Sequence, residues 1–174
     1  MEERNFCRFL PRRRETPAIH AINIVREYKE AGTRDAMVTP ALYVMNIVLR
    51  GECVIHTPRA SVELSAGDVF FCLPSLPYSM EANTDLEYAY ITFLGARSNM
   101  LLEKVGVNRQ SFAFHGVHDA LAIWRAALES TEQGAVADLV CESVLLYTVA
   151  LLGRGRDDDD EALDDTVLRV KKIR

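Results

Sequence analysis

Apolar and polar positions follow two different periods along this chain, and the change comes near Gly95. Up to that point, apolar residues form short runs or alternate with polar residues, which is typical of β-strands. Leu42–Arg50 is rich in β-branched residues, and Ala60–Leu64 alternates strictly between apolar and polar side chains. Strands are therefore predicted at residues 19–25, 42–50, 52–57, 60–64, 69–73, 78–81 and 86–94.

Tight turns separate most of these runs, at Gly51, at residues 57–59 and at residues 65–68. Residues 27–34 are predicted to form a loop or a distorted hairpin. Several short strands joined by tight turns predict an antiparallel sandwich or a small barrel. The chain has no Gly-rich phosphate loop and no β-α-β alternation, which argues against a Rossmann or P-loop fold.

The segment Gly67–Tyr78 combines a turn, a strand and a stiff exit. Gly67 and Asp68 open the turn, and five apolar residues follow without interruption. Because both faces of this run are apolar, we expect a fully buried strand. Pro74 and Pro77 then hold the chain in an extended conformation.

After Gly95 the apolar period becomes helical. A first helix is predicted from Ser98 to Gly106, and a second begins at Asp119. The third helix, Ala135–Leu152, is apolar on nearly all sides and must be covered on more than one of them. Burial between the barrel and the second helix is one explanation, and coverage by a partner subunit is the other. We favour the partner and assign a dimer interface to Leu139, Leu146, Val149 and Leu152.

The two ends of the chain are predicted to differ from its middle. Residues 1–16 are rich in arginine and predict an irregular basic arm. Residues 153–161 predict a break followed by an acidic linker. Asp165 or Thr166 then begins one more helix that is too short to be stable alone. We therefore expect the sequence to continue in a longer protein.

Composition and charge narrow the function classes. The net charge of −5 disfavours non-specific nucleic-acid binding by this chain, because such binding requires a basic surface. The four cysteines form no C-x-x-C pair, which predicts reduced thiols in a cytoplasmic protein. The N-terminus lacks the pattern of a signal peptide. The apolar run Val144–Leu152 is shorter than the ~20 residues that span a bilayer, so no membrane is predicted.

The order of these elements resembles the N-terminal regulatory domain of AraC-type transcription regulators. The resemblance covers about residues 17–174 and rests on LYVMNIVLRGEC, SAGDVFFCLPSLPYSM, LEYAYITFLG and NMLLEKVG. It implies an α+β fold, with an N-terminal cupin-like antiparallel β-barrel of jelly-roll type followed by C-terminal α-helices. The implied parts are an arm at 1–16, an effector-binding barrel at 17–95, a helical dimerisation part at 96–153, and a linker with the start of a truncated DNA-binding domain at 154–174.

The resemblance also implies function and partners. It implies a bacterial, cytoplasmic homodimer that senses a small-molecule effector and associates through the helix at residues 135–152. DNA would be bound only through a helix-turn-helix domain that is absent from this chain. Under this hypothesis the chain is not an enzyme. A stand-alone small cupin-type enzyme or isomerase is the alternative.

The histidines argue against a metal centre. Metal-binding cupins use a His-x-His pair, a nearby Glu and a later His, because several N and O ligands must converge on one ion. His56 has no histidine two positions away, and Tyr78 stands at the later His position. The sequence therefore predicts no metal and no cofactor.

The candidate ligand site lies in the strand at residues 86–94. Tyr88, Tyr90 and Thr92 share one face of that strand, since every second residue points the same way. Two adjacent tyrosines provide a flat apolar surface and hydroxyl groups, which suits a sugar or another ring-shaped ligand. Core tyrosines with satisfied hydroxyls are the alternative. By resemblance and position, the candidate ligand-binding residues are Arg34, Tyr78, Met80, Tyr88, Tyr90 and His20.

Overall fold

A computed structural model describes residues 6–9, 19–130 and 134–171. In this part of the chain, nearly all strands precede the helices. The strands are β1 (Phe6–Phe9), β2 (His20–Lys29), β3 (Tyr43–Arg50), β4 (Glu52–His56), β5 (Ser61–Ser65), β6 (Val69–Cys72), β7 (Ser79–Ala82), β8 (Leu86–Leu94) and β9 (Ala113–Phe114). The helices are α1 (Ser98–Lys104), α2 (Ala120–Glu129) and α3 (Ala135–Lys171).

The strands form two antiparallel sheets. The larger sheet has the order β1-β2-β8-β3-β6-β9, and the smaller one has the order β5-β4-β7. An apolar core joins the inner faces of the two sheets, with Ile55 and Met80 from the smaller sheet and Phe70 from the larger one. The predicted α+β class, with antiparallel strands first and helices mostly C-terminal, is confirmed. Hydrogen bonds among the described strands do not close the two sheets into one continuous barrel.

A second apolar core lies between the larger sheet and the helices. In β8, Ala89, Ile91 and Phe93 belong to this core, together with Trp124 of α2 and Val144 of α3. The larger sheet is therefore covered on both faces, which explains why its central strands read as continuous apolar runs. All four residues of β6 are buried, as predicted for the run that begins at Val69.

Strand β2 is longer than predicted. It continues through Glu27, Tyr28 and Lys29, which were predicted to lie in a loop or a distorted hairpin, and it pairs with β8 as far as Leu86. A register shift between Ala21 and Asn23 marks a bulge near its start. Cross-strand pairing with β8 outweighs the low β-propensity of Glu27 and Lys29.

The loop after β2 lies along the edge of the smaller sheet. The Asp35 N–H donates to the Met80 carbonyl at 2.9 Å, and Val38 and Tyr78 exchange backbone hydrogen bonds at 2.8 and 2.9 Å. Ala82 also donates to the carbonyl of Thr33 at 2.8 Å. We call residues 30–42 the edge loop. Its backbone is held by β7 and lies beside the space between the sheets.

The Gly67–Asp68 turn connects the sheets to the helical part. Gly67 has a φ of 92°, and a Cβ atom there would lie 2.0 Å from Nδ1 of His118. Only glycine allows that approach together with that backbone conformation. The buried carboxylate of Asp68 accepts hydrogen bonds from the Gly116 N–H at 2.9 Å and from His115 at 3.0 Å. The turn therefore anchors the loop that leads into α2.

Helix α3 does not end at Leu152 as predicted. It continues to Lys171 without the predicted break at Gly153, and it includes the acidic run and the predicted last helix. A glycine inside a helix costs ~1 kcal/mol but does not prevent the helix, and residues 135–171 contain no proline. The predicted linker at 154–161 is helical in the structure. The division of the chain into functional parts stays a prediction.

Residues 6–9 of the predicted irregular arm form β1, which pairs with β2. Residues 1–5 and 10–16 of that arm lie outside the described residues. The arm is thus a strand of the larger sheet over this short segment. Its register places Phe6 opposite Arg26 and Phe9 opposite Asn23.

Candidate functional site

A pocket of about 370 Å³ opens between the two sheets. The larger sheet contributes Glu27, Lys29, Val44, Asn46, Tyr88, Tyr90 and Thr92 to its wall. The smaller sheet and the neighbouring loops contribute Met80, Tyr78 and Asp35. The volume lies in the range of small-molecule sites.

One wall of the pocket is aromatic. The rings of Tyr88 and Tyr90 lie with their centroids 6.3 Å apart and their planes at 26°. Their positions follow from the strand period, because Ala89 between them points to the helices and both tyrosines point inward. The predicted shared face of Tyr88, Tyr90 and Thr92 is confirmed by their position in the pocket wall.

Glu27 binds both tyrosine hydroxyls. The Tyr88 hydroxyl donates to Oε2 of Glu27, and the Tyr90 hydroxyl donates to Oε1 at 3.4 Å. Burial raises the pKa of Tyr88 well above its ordinary value, and the bond to Glu27 raises it further. The phenol is therefore protonated at neutral pH and acts as a donor to the carboxylate.

A second charged group, the ammonium of Lys29, lies in the pocket wall. Nζ of Lys29 lies 2.8 Å from Oδ1 of Asp35, so the edge loop is tied to β2 by an ion pair. The same ammonium lies 5.9 Å from the ring centroid of Tyr88, within the range of a cation–π contact. Lys29 and Asp35 thus place a neutral pair beside the aromatic wall.

The pocket wall includes one buried polar side chain, Asn46, which contacts the residues behind the wall. Asn46 is only 3% exposed, and its amide nitrogen donates to the Phe70 carbonyl at 3.3 Å and contacts Cys72 Sγ at 3.4 Å. Burial raises the pKa of the Cys72 thiol to about 12. Burial also raises the pKa of Tyr78, whose hydroxyl forms a hydrogen bond with the Cys72 thiol. The thiol is therefore protonated at neutral pH and is a poor nucleophile.

Four of the six predicted ligand-binding residues line this pocket, and two do not. Arg34 lies outside it, is more than half exposed and has Nη1 3.5 Å from Oε2 of Glu81. His20 lies at the start of β2, where Nδ1 is 3.7 Å from Oε1 of Glu142 on α3. Arg34 and His20 do not line this pocket, and their role in ligand binding stays a prediction. The backbone of Arg34 pairs with the edge strand β7, and His20 belongs to the interface between β2 and α3.

The sequence prediction missed four polar residues of the pocket. Asn46 gave a signal, because it is the one polar side chain in the middle of an apolar strand. Glu27 and Lys29 lie in the predicted loop and Asp35 directly follows it. None of the three gave a signal, because a polar residue outside a predicted strand looks the same whether it faces a pocket or water. Only the pairing of β2 with β8 brings the first two beside Tyr88.

Residues 30–149 match the family model of the AraC-like ligand binding domain. This chain belongs to that family. The match spans the edge loop, strands β3 to β9 and the N-terminal part of α3, and it begins directly after β2. The pocket described above is therefore the space between the sheets of an AraC-like ligand binding domain. No curated protein matches the chain.

Solved structures resemble parts of this AraC-like domain at low similarity. One is a predicted oxalate decarboxylase from Thermotoga maritima, 27% identical over 43% of this chain and 68% of that chain, with a TM-score of 0.40. Another is a conserved protein of unknown function from Streptococcus pyogenes, 13% identical over 53% and 75%, with a TM-score of 0.41. A salicylate 1,2-dioxygenase from Pseudaminobacter salicylatoxidans is 20% identical over 44% and 21%, with a TM-score of 0.40. These similarities are too distant to indicate a function.

The histidines of this AraC-like domain are engaged elsewhere. On the outer face of the smaller sheet, His56 contacts Ser61 Oγ at 2.8 Å and Glu81 Oε2 at 3.1 Å. His115 and His118 lie at the Gly67–Asp68 turn. Within residues 6–9, 19–130 and 134–171, no three His, Cys, Asp or Glu side chains are placed to share a metal ion. The absence of a metal and of a cofactor stays a prediction.

Two of the four predicted interface residues are exposed on α3. Leu139 is 56% exposed and Leu146 is 47% exposed, whereas Val149 is 2% and Leu152 is 6% exposed. Val149 and Leu152 are wrong as interface residues, because they are part of the core between α3 and the larger sheet. Among the α3 residues whose burial is described, four large apolar side chains are exposed, and we call them the exposed apolar face of α3: Val136, Leu139, Leu146 and Tyr147.

The segment Val136–Arg154 of α3 has a mean hydropathy of 1.8 and is long and apolar enough to cross a membrane. It is the single such segment in the described part of the chain, and 44% of it is buried inside the protein. Core helices of soluble proteins pass the same test. Its contacts with α2 and β2 are those of a core helix.

Proposed function

We propose that this chain is the effector-sensing part of an AraC-type transcription regulator and that it binds a small organic molecule between its two sheets. The observation that carries the proposal is the pocket itself, with a stacked tyrosine pair and a hydrogen-bonded carboxylate inside an AraC-like ligand binding domain. The proposed ligand residues are Tyr78, Met80, Tyr88 and Tyr90, together with the newly found Glu27.

The shape and chemistry of the wall favour a ring-bearing ligand, either sugar-like or aromatic. A ring can stack on the flat tyrosine surface while its polar substituents reach the carboxylate and the amide. Met80 is buried on the opposite side and supplies an adaptable apolar contact.

Strand β2 provides a route from the pocket to the rest of the molecule. It carries Glu27 and Lys29 in the pocket wall, pairs with β1 on its other edge, and packs against α3. We propose that a ligand shifts the population of β2 conformations and thereby changes how the arm or α3 engages a DNA-binding domain. That domain, a cytoplasmic location and a bacterial source are parts of the proposal.

A ligand screen tests the proposed function. Thermal unfolding is measured with sugars, sugar acids, aromatic acids and aromatic amines, since a ligand at 100 times its Kd adds ~2.7 kcal/mol of stability. We expect at least one class to raise the midpoint, and we expect Tyr90→Ala to lose that increase relative to its own ligand-free midpoint. Glu63→Gln, on the exposed face of β5, is the control. A screen without a hit, or a hit that Tyr90→Ala leaves unchanged, contradicts the proposal.

The alternative function is a small cupin-type enzyme or isomerase. The chemistry of the site favours binding, because the pocket presents protonated phenols rather than an activated nucleophile. Metal analysis of the purified protein separates the two hypotheses. Stoichiometric iron, manganese, nickel or zinc would favour the enzyme.

A further inference from the structure

The charges that line the pocket do not balance. The wall contains two carboxylates, Glu27 and Asp35, and one cation, Lys29. Lys29 is paired with Asp35 at 2.8 Å, so these two charges compensate each other. In the part of the chain that the structure describes, the carboxylate of Glu27 has phenol partners and no Lys, Arg or His within 4.0 Å. Among the described residues that line the pocket, one carboxylate, that of Glu27, therefore has no cationic partner.

Several groups in this wall accept hydrogen bonds. The hydroxyl of Tyr88 uses its hydrogen on Glu27, which leaves its oxygen lone pairs as acceptors. Asn46 uses its amide nitrogen on the protein backbone and on Cys72, which leaves its amide oxygen as an acceptor. A ligand in this pocket meets groups that accept hydrogen bonds and is favoured when it donates them.

The aromatic wall already accommodates an ammonium group. Nζ of Lys29 lies 5.9 Å from the Tyr88 ring centroid, beside a carboxylate. A ligand amine near Tyr90 and Glu27 would have the same surroundings, with a π face on one side and a carboxylate on the other. Charged groups are costly to bury without a partner, and Glu27 supplies a partner for a cation only.

We infer that the pocket selects an effector with a protonated amine attached to a ring, and that it discriminates against carboxylates of the same shape. The inference rests on the proposed ligand-binding function and names the ligand class of that site. Glu27 is the residue that sets the preference, because its charge has no cationic partner among the described residues.

Three probes with one ring system separate charge from shape. Tyramine is a cation, 4-ethylphenol is neutral, and 4-hydroxyphenylacetate is an anion. Using isothermal titration calorimetry, we expect tyramine to bind about tenfold tighter than 4-ethylphenol, and the acid to bind most weakly. Glu27→Gln should raise the Kd of tyramine about tenfold and change the Kd of 4-ethylphenol less than about twofold. Glu63→Gln removes a carboxylate charge from the exposed face of β5 and should leave the Kd of both probes unchanged.

Ionic strength gives a readout that does not depend on a variant. Raising the salt concentration from about 0.05 M to about 0.5 M should weaken the binding of tyramine several-fold and leave the binding of 4-ethylphenol unchanged, because salt screens charge interactions. An equal salt response of the two probes overturns the inference.

The failure of the inference and of the proposed function are distinguishable. Equal or tighter binding of 4-ethylphenol or of the acid overturns the amine preference and leaves the sensing function in place. Binding of none of the three probes also overturns the inference. A sugar or acid found in the screen would then still support ligand sensing, whereas an empty screen contradicts both.

Discussion

Asp68 holds the turn between β5 and β6 against the loop that precedes α2. Its carboxylate is 4% exposed and accepts hydrogen bonds from Ser65, Gly116 and His115. Burial alone would raise the pKa of this group, but the backbone hydrogen bonds from Ser65 and Gly116, with that of His115, outweigh it and lower the pKa. One residue thus joins the sheets to the helical part.

The variant Asp68→Asn is expected to lose about 2 kcal/mol of unfolding free energy at neutral pH, because charge-assisted hydrogen bonds are replaced by weaker ones. Since the folded pKa lies below the unfolded value, Asp68 stabilises the fold above about pH 4, and this contribution is lost as the pH falls through the folded pKa. Urea denaturation at neutral and acidic pH measures both effects. Asp119→Asn, at an exposed position without a capping hydrogen bond, is the control. Equal loss in both variants would refute the anchoring role.

The limits of sequence prediction are also clearest at single residues. Tyr78 and Met80 were predicted to lie near the ligand because of the proline-bounded segment, and the structure places both in the pocket wall. Their role in binding stays a prediction. Arg34 was misplaced because its side chain pairs with Glu81 outside the pocket, a contact between segments far apart in sequence. A local pattern contains no information on such a pairing.

At the scale of elements, strands and helices with a regular apolar pattern could be predicted, whereas those whose pattern is interrupted could not. The period-two pattern of β8 correctly separated the residues that face the helices from those that face the pocket. The C-terminal third of β2 has no apolar pattern and forms because β8 supplies hydrogen bonds along its whole length. Helix α3 continues past Gly153 although that residue suggested an end.

The exposed apolar face of α3 belongs to the same scale, and it yields a prediction about association. We expect Leu146→Glu to convert a dimer into monomers, because a charge would replace an exposed apolar residue of this face. Multi-angle light scattering after gel filtration measures the mass. Met100→Glu, at an exposed apolar position on α1, should remain dimeric.

If the Leu146→Glu variant remains dimeric, or if the wild-type protein is monomeric, this face is not a dimer interface. Val149 is unsuitable for the same test. It is 2% exposed, so a charge there would cost about 4 kcal/mol or more of stability and would unfold the protein rather than dissociate it.

At the scale of the whole molecule, strand β2 contacts three parts that are far apart in the sequence or were predicted separately: the pocket, the arm and α3. It borders the pocket, pairs with β1 and packs against α3. The order of strands and helices was predictable because each element has its own composition. The contacts of β2 with all three parts could not be predicted, since they follow from the order of strands in the sheet.

These contacts of β2 predict that removal of the arm alters the response to ligand. In the longer regulator that we propose, deletion of residues 1–14 removes β1 and frees one edge of β2. We expect a changed ratio of reporter transcription with and without ligand, because the ligand and β1 act on the same strand. Removal of residues 2–4, which precede β1, is the control. An unchanged ratio after the longer deletion would count against the arm.

The edge loop has one more consequence, which concerns aggregation. Strand β7 lies at the border of the smaller sheet, and residues 32–38 satisfy its outer hydrogen-bonding groups. An uncovered strand edge recruits strands of other molecules. A movement of this loop away from the smaller sheet would uncover β7, so a bound ligand that holds the loop in place would protect the protein from intermolecular strand pairing.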